Sequence, residues 1–158
     1  MVEVVFPFDD KLNADRVLIE WDDACKSLGT EGFLLFGTCL GIVRDGGYIK
    51  GDWDIDVGIH REYFPQLYDA LIDQGFISPD KKDTYQPVEK VIAGTHCKFI
   101  KYNIALDVWI GLFHDPNKIY LESYDKATYE GREYNVPHPV QEYLKFRYGE
   151  SWRVPDQK

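Results

Sequence analysis

The stretch FLLFGTCLGIVRDGGYIKGDWDIDVGIH, from Phe33 to His60, decides the fold. Its apolar start, Phe33–Phe36, followed at once by Gly37, is typical of a buried strand that ends in a tight turn. The next residues, Thr38–Arg44, predict about two turns of helix. The glycine-rich segment Asp45–Gly47 ends that helix. The sequence therefore predicts a strand, a turn and a short helix in succession.

Three aspartates then alternate along a second predicted strand, at Asp52, Asp54 and Asp56. Residues two apart in a strand point the same way, so Asp54 and Asp56 share one face while Ile55 and Val57 enter the core. Two carboxylates this close repel each other unless a cation or a proton lies between them. Oxygen ligands suit Mg²⁺ or Mn²⁺, which commonly complete their shell with substrate phosphates. The aspartates, Asp52 included, are therefore candidate metal ligands.

The turn at Gly37 and Thr38 supplies what a phosphate group needs. Glycine allows close approach of the backbone, and the start of a helix offers free N–H groups. Alone, an Asp-x-Asp strand could be a solvated sheet edge, and Gly-Thr could be an ordinary turn. Their combination favours a site that handles phosphate through a metal.

A third carboxylate, Asp107, interrupts the apolar run Ile104–Ile110. A charge in such a strand costs energy unless it is paired or bound to a metal. Asp107 is therefore predicted to be the third metal ligand, or the base that takes the proton from an acceptor hydroxyl. The alternative is a surface-facing position in a half-buried strand.

Composition indicates one domain over residues 1–158, with 44% hydrophobic and 15% aromatic residues. The net charge of −9 and the pI near 4.8 lack the basic character of a nucleic-acid binder. No apolar run reaches membrane-spanning length, and no signal-peptide pattern is present. Cys25, Cys39 and Cys97 lack metal-ligand spacing and favour free thiols in a cytoplasmic protein, which could still work at the inner face of a membrane.

The rest of the chain predicts further elements around this centre. Residues 10–28 form an amphipathic helix, and Arg61–Gln74 form a second one. Two runs, Val88–Ala93 and His96–Lys101, are separated by Gly94-Thr95, which predicts a hairpin. The acidic residues of the first helix are expected to face solvent: Asp15, Glu20, Asp22 and Asp23.

Two cations are candidate substrate ligands. Arg44 could bind a donor phosphate by paired hydrogen bonds, or could instead pair with Asp45 or Asp52. Lys98 alternates with Cys97 along its predicted strand, so it faces either the cleft or solvent.

These motifs resemble the signature of the LicD/fukutin family. The resemblance lies in Phe36–Arg44, Gly47–Ile49, Asp52–Val57 and the segment 129–155, which ends in a Tyr-Gly-x-x-Trp motif. The family pattern is roughly Gly-Thr-Leu-Leu-Gly-x-x-Arg, then Gly-Phe-Ile-Pro-Trp-Asp-x-Asp-Ile-Asp. This chain departs from it at Lys50-Gly51, where Pro-Trp is usual.

The resemblance implies a nucleotidyltransferase-like α/β (α+β) fold, a small mixed sheet flanked by helices. It implies in-line transfer of phosphocholine or polyol phosphate from a CDP-linked donor to a hydroxyl of a glycan or lipid-linked glycan. Asp54, Asp56 and Asp107 would be catalytic, with Gly37, Thr38, Arg44 and Lys98 binding substrate.

The residues alone support only metal-dependent transfer of a phosphorus-containing group. One alternative is a nucleotidyltransferase that moves a nucleoside monophosphate from a nucleoside triphosphate to a small molecule or a protein. Another is a catalytically silent nucleotide-binding module. The clustered aspartates disfavour the silent module, because it has no reason to tolerate carboxylates that repel each other.

Overall fold

A mixed sheet of four strands lies at the centre of the fold. The structure, a computed structural model, describes residues 10–52, 54–79, 96–110 and 116–155. The strands of the central sheet are β1 (Phe33–Leu34), β2 (Asp54–Ile59), β3 (His96–Lys101) and β4 (Ile104–Ile110). Their order is β1-β2-β4-β3, with β2 and β4 parallel and the other two pairs antiparallel. A separate antiparallel hairpin consists of β5 (Tyr124–Tyr129) and β6 (Arg132–Pro137).

Helices flank this sheet, as the sequence predicts. They are α1 (Lys11–Ser27), α2 (Phe36–Asp45), α3 (Phe64–Asp73) and α4 (Val140–Tyr148), with 3-10 turns at Arg61–Tyr63 and Pro116–Tyr120. The carboxylate of Asp10 caps α1 by accepting a hydrogen bond from the Asn13 N–H, and α2 ends at Gly46 in the left-handed conformation. Within the described residues, every helix is too short or too polar to cross a membrane.

The core lies on one face of the central sheet. Ile55 and Val57 of β2 are fully buried, as are Leu106 and Val108 of β4. They pack with apolar residues of α1 and α3, and Trp21 of α1 is 1% exposed. Burying a side chain of this size stabilises the fold by about 1.5–3 kcal/mol. Since the core takes alternate residues of each strand, the intervening residues lie on the opposite face of the sheet.

The structure contains a hairpin that was not predicted, between β3 and β4. β3 pairs with β4, and Lys101 lies opposite Ile104. The two turn residues, Tyr102 and Asn103, have φ values of 55° and 62°. Two consecutive left-handed residues are the mark of a type I′ turn, for which Tyr-Asn is a weak sequence signal. The other predicted run, Val88–Ala93, lies outside the described residues.

The predicted strand Phe33–Phe36 is shorter in the structure, because α2 already begins at Phe36. Phe36 has a φ of 47°, a left-handed conformation that costs a bulky residue about 1–3 kcal/mol. Its N–H donates a hydrogen bond to the Tyr143 hydroxyl at 3.0 Å. Its ring lies 4.6 Å from the Arg147 guanidinium and 5.0 Å from the centre of the Trp109 ring. Helix α4 therefore fixes the start of α2.

Two acidic residues of α1, Asp15 and Asp22, join elements together, so the prediction that they face solvent is wrong for these two, whereas Asp23 is exposed. Asp15 accepts hydrogen bonds from the hydroxyls of Tyr48 and Tyr129, both at 2.7 Å. Asp22 is 7% exposed and pairs with Arg132 at 2.9 Å. Because these partners lie 33 to 114 residues away along the chain, helix periodicity alone does not indicate them.

Replacing Asp15 by alanine is expected to lower the free energy of unfolding by about 2–4 kcal/mol, because it removes the carboxylate that accepts from the partly buried hydroxyls of Tyr48 and Tyr129. Urea denaturation at pH 7 measures the change. The matched control is Asp23→Ala, since Asp23 is 59% exposed and its partner Arg132 keeps the contact with Asp22. The control should cost less than about 1 kcal/mol. Equal losses in the two variants would contradict the role given to Asp15.

Candidate active site

The three predicted aspartates come together on the face of the sheet opposite the core. Asp56 of β2 lies directly opposite Asp107 of β4 in the parallel pair, and Asp54 is two residues before Asp56 on the same face. One carboxylate oxygen from each residue lies within 4.8 Å of the other two. The sequence prediction of a carboxylate trio on neighbouring strands therefore agrees with the geometry.

Burial and mutual repulsion hold protons on this trio in the absence of a cation. Burial raises the pKa of Asp107 to about 8, aided by its hydrogen bond with Asp54 and the charge of Asp54, while the Lys98 ammonium opposes the rise. Burial also raises the pKa of Asp56 to about 7, again with the charge of Asp54. The Trp109 indole N–H donates to Asp56 Oδ1 at 3.1 Å and lowers that pKa. The site therefore favours either a proton or a cation among its carboxylates.

The trio fits a divalent cation. Asp107 Oδ1 is buried and accepts no hydrogen bond from any residue that the structure describes. An unpaired buried carboxylate oxygen is costly, and a bound cation would remove that cost. Three carboxylates also form the hard oxygen ligand set that Mg²⁺ or Mn²⁺ prefers. The donor atoms and the orphaned oxygen thus agree with a metal of this class.

The start of α2 borders the trio through Thr38. Its hydroxyl is 1% exposed and accepts a hydrogen bond from the Asp56 N–H at 2.8 Å, which ties α2 to β2. The Thr38 side chain therefore positions a carboxylate strand. The N–H groups of Gly37 and Thr38 lie in the first helical turn, where no intrahelical acceptor exists, and no described residue accepts from them. These N–H groups remain candidates for binding phosphate.

Asp52 lies outside the trio, because β2 begins only at Asp54. The Asp52 N–H donates to the carbonyl of Ile49 at 3.1 Å in a turn before the strand. Its Oδ2 is 3.1 Å from the position that a Cβ on Gly37 would take. The structure thus puts Asp52 beside the phosphate turn, apart from the three grouped aspartates.

The two predicted cations differ in their surroundings. Nε and Nη2 of Arg44 each donate to the Asp45 carboxylate at 2.8 Å, and the Arg44 side chain is 10% exposed. This is the pairing that the sequence left open beside phosphate binding. Lys98 lies directly opposite Asp107 in the antiparallel pair of β3 and β4, so both side chains share the site face. Of the two predicted cations, Lys98 is therefore the one that shares the face of the sheet with the carboxylate trio.

Trp109 and His96 belong to the same face, and of the two Trp109 did not stand out in the sequence. Their rings stack with centres 4.7 Å apart and planes at 22°, and the Trp109 indole donates to Asp56. In the sequence, Trp109 is one more apolar residue of a hydrophobic strand. The available signal was its spacing of two from Asp107, which puts both on one face of β4.

Gly41 sets how closely the loop before β2 approaches α2. A Cβ there would lie 2.5 Å from the Gly47 carbonyl oxygen and 3.0 Å from the Ile49 nitrogen, and both are backbone atoms. We expect Gly41→Ala to lower the free energy of unfolding by about 2–4 kcal/mol, because the overlap outweighs the better helix propensity of alanine. Gly46→Ala is the control, since its φ is 76° but its Cβ would meet open space. That control should cost about 1 kcal/mol in urea denaturation, and a smaller loss for Gly41→Ala would refute the overlap.

The chain is similar to a known protein family in sequence and to a solved structure in fold. A family model described as "LicD/FKTN/FKRP, nucleotidyltransferase domain" matches residues 29–145. The fold is similar to the crystal structure of ANT(2")-Ia in complex with adenylyl-2"-tobramycin, with a TM-score of 0.59 and 14% sequence identity. That likeness covers 89% of this chain and 77% of the other, and it shows the fold alone. No curated protein matches the chain in sequence. The predicted nucleotidyltransferase-like fold is confirmed.

Proposed function

Because the chain belongs to the LicD family, we propose that it is a metal-dependent transferase that moves phosphocholine or a polyol phosphate from a CDP-linked donor to a glycan hydroxyl. Family membership and the fold indicate a transferase, and the donor, acceptor and metal are proposed. The observation that carries the proposal is the trio of Asp54, Asp56 and Asp107, whose oxygens lie within 4.8 Å of one another.

The three aspartates of the trio would have different roles in an in-line displacement at phosphorus. Asp54 and Asp56 would hold Mg²⁺ or Mn²⁺. The bound ion would neutralise negative charge on the donor phosphates. Asp107 would complete the ligand set or accept the proton of the attacking hydroxyl. A cation held by Asp54 and Asp56 would favour the ionised form of Asp107, which both roles require. Nucleoside monophosphate would be the leaving group.

The surroundings of the trio would bind and orient the donor phosphates. The N–H groups of Gly37 and Thr38 would donate to phosphate oxygens, and the Lys98 ammonium would offset their charge. Arg44 would first have to exchange Asp45 for a phosphate oxygen. The acceptor would be a free or lipid-linked glycan, and a lipid-linked acceptor would bring the protein to the inner face of a membrane.

Calorimetry tests the proposal with CDP-choline, CDP-ribitol, CTP and ATP, each titrated with and without Mn²⁺. We expect binding of a CDP-linked donor that requires Mn²⁺ and disappears in the double variant Asp54→Asn/Asp56→Asn. Metal-independent binding, or equal binding by the double variant, would contradict the proposal.

A second candidate is transfer of a nucleoside monophosphate. The similarity to ANT(2")-Ia, whose structure contains adenylyl-2"-tobramycin, favours it. A preference for CTP or ATP over both CDP-linked donors in the same titrations would select this function. A catalytically silent module would bind none of the four ligands in a metal-dependent way.

A further inference from the structure

A groove separates the C-terminal half of α2 from the residues that follow α4, and we call it the C-terminal groove. Its volume is about 990 Å³, the upper end of the usual range for ligand sites. The residues of its wall that matter here are Arg44, Ile49, Lys50, Tyr148, Ser151 and Trp152.

One wall of the C-terminal groove leads towards the phosphate turn. Its Ile49-Lys50 wall leads into Asp52, whose N–H donates to the Ile49 carbonyl, and Asp52 lies beside Gly37 at the phosphate turn. On the other side, Tyr148 ends α4, the helix that holds the start of α2. Burial raises the pKa of Tyr148 to about 12, and the charges of Asp56 and Asp52 add to the rise. The wall of the groove is therefore joined to the phosphate turn through Asp52.

The lining suits a neutral ring that carries hydroxyl groups. Asp45 already matches the Arg44 charge, and Lys50 is the other cation among the described lining residues, so the wall carries little net positive charge for a polyanion. Tyr148 stays protonated at neutral pH and, with Ser151, offers uncharged hydrogen-bonding groups. The Tyr148 ring, which is 40% exposed, supplies apolar surface against which a sugar ring can lie.

We propose that the C-terminal groove is the acceptor subsite and binds a neutral sugar unit, leaving one sugar hydroxyl directed towards Asp107. The inference rests on the proposed function, because it assigns the groove to the acceptor of that reaction. In this arrangement, the donor phosphates lie at the trio and the start of α2. The acceptor approaches from the side of Tyr148.

The test fills the groove without touching the trio. Val154 lines the groove and is 60% exposed, so Val154→Trp adds bulk there with little risk to the core. Leu12→Trp is the matched control, because Leu12 is 74% exposed on α1, outside the groove. The probes are the methyl glycosides of glucose, galactose, N-acetylglucosamine and N-acetylgalactosamine. Saturation-transfer NMR without any donor measures their binding, and calorimetry measures binding of CDP-choline with Mn²⁺.

At least one glycoside should bind the wild-type protein and Leu12→Trp equally, and bind Val154→Trp at least about tenfold more weakly. CDP-choline should bind all three proteins alike. Absence of glycoside binding to wild type, or equal binding to Val154→Trp, would overturn the acceptor subsite. Weaker CDP-choline binding to Val154→Trp would also overturn the acceptor subsite, because the groove would then bind the donor. If glycoside binding is lost in Val154→Trp while no CDP-linked donor binds wild type, the sugar site stands and the proposed donor fails.

Discussion

Replacing Asp56 by asparagine is expected to lower metal-dependent transfer by about 1,000-fold or more. The substitution keeps the size of the side chain and an oxygen that can accept from the Trp109 indole. It removes one of the three negative charges that would hold the cation. The measurement is the rate of transfer from whichever nucleotide donor binds in calorimetry, together with the affinity for Mn²⁺ alone.

Asp52→Asn is the matched control for this experiment. Asp52 is an acidic residue four positions earlier that lies outside the trio, beside Gly37. We expect this variant to keep Mn²⁺ affinity within about tenfold of wild type, an energy of about 1.4 kcal/mol. Wild-type Mn²⁺ affinity in Asp56→Asn would refute the metal site. A loss in Asp52→Asn as large as that in Asp56→Asn would make Asp52 a fourth ligand, as the alternation in the sequence suggests.

The metal-free protein should lose stability as the pH rises from about 4 to 8. Burial and the charge of Asp54 raise the pKa of Asp56 to about 7 and of Asp107 to about 8, from 3.8 in the unfolded chain. Between these values the native state holds more protons than the unfolded state, so the free energy of unfolding falls with increasing pH. Because the sites share their protons, we expect a total loss on the order of 2–4 kcal/mol.

Asp107→Asn separates the metal site from the stability of the fold. At pH 8 without metal, we expect this variant to be more stable than wild type by about 1–3 kcal/mol, because it removes a buried charge from the trio. Adding Mn²⁺ should raise the melting temperature of wild type and leave that of Asp107→Asn unchanged. Urea and thermal unfolding in EDTA and in Mn²⁺ measure both effects. If Asp107→Asn is less stable than wild type in EDTA at pH 8, repulsion among the carboxylates of the trio does not destabilise the metal-free protein.

Local patterns were sufficient to predict the trio. Asp54 and Asp56 share a face because strand residues alternate, and Asp107 stands out as a charge inside an apolar run. The parallel pairing of β2 with β4, which puts Asp56 directly opposite Asp107, became apparent only in the structure. Lys98 follows from the same alternation along β3.

Contacts between distant parts of the chain could not be predicted from the sequence. Phe36 looked like the end of a strand, yet it starts α2 because Tyr143 and Arg147, more than 100 residues away, hold it in a left-handed conformation. The same limit applies to Asp15, whose tyrosine partners no helical pattern reveals. Arg44 shows a different difficulty, because its neighbour Asp45 and a phosphate are equally plausible partners until the structure shows the first.

The two-residue turn of Tyr102 and Asn103 has a consequence for sequence change. It sets the register in which Lys98 lies opposite Asp107, and neighbouring positions along a strand point to opposite faces. A shift of this register by one residue would turn Lys98 towards the core and bring Cys97 or Phe99 to the site. The pairing of Asp56 with Asp107 does not pass through this turn. A relative whose β3 is shifted by one residue would therefore keep the carboxylate trio while losing its neighbouring ammonium.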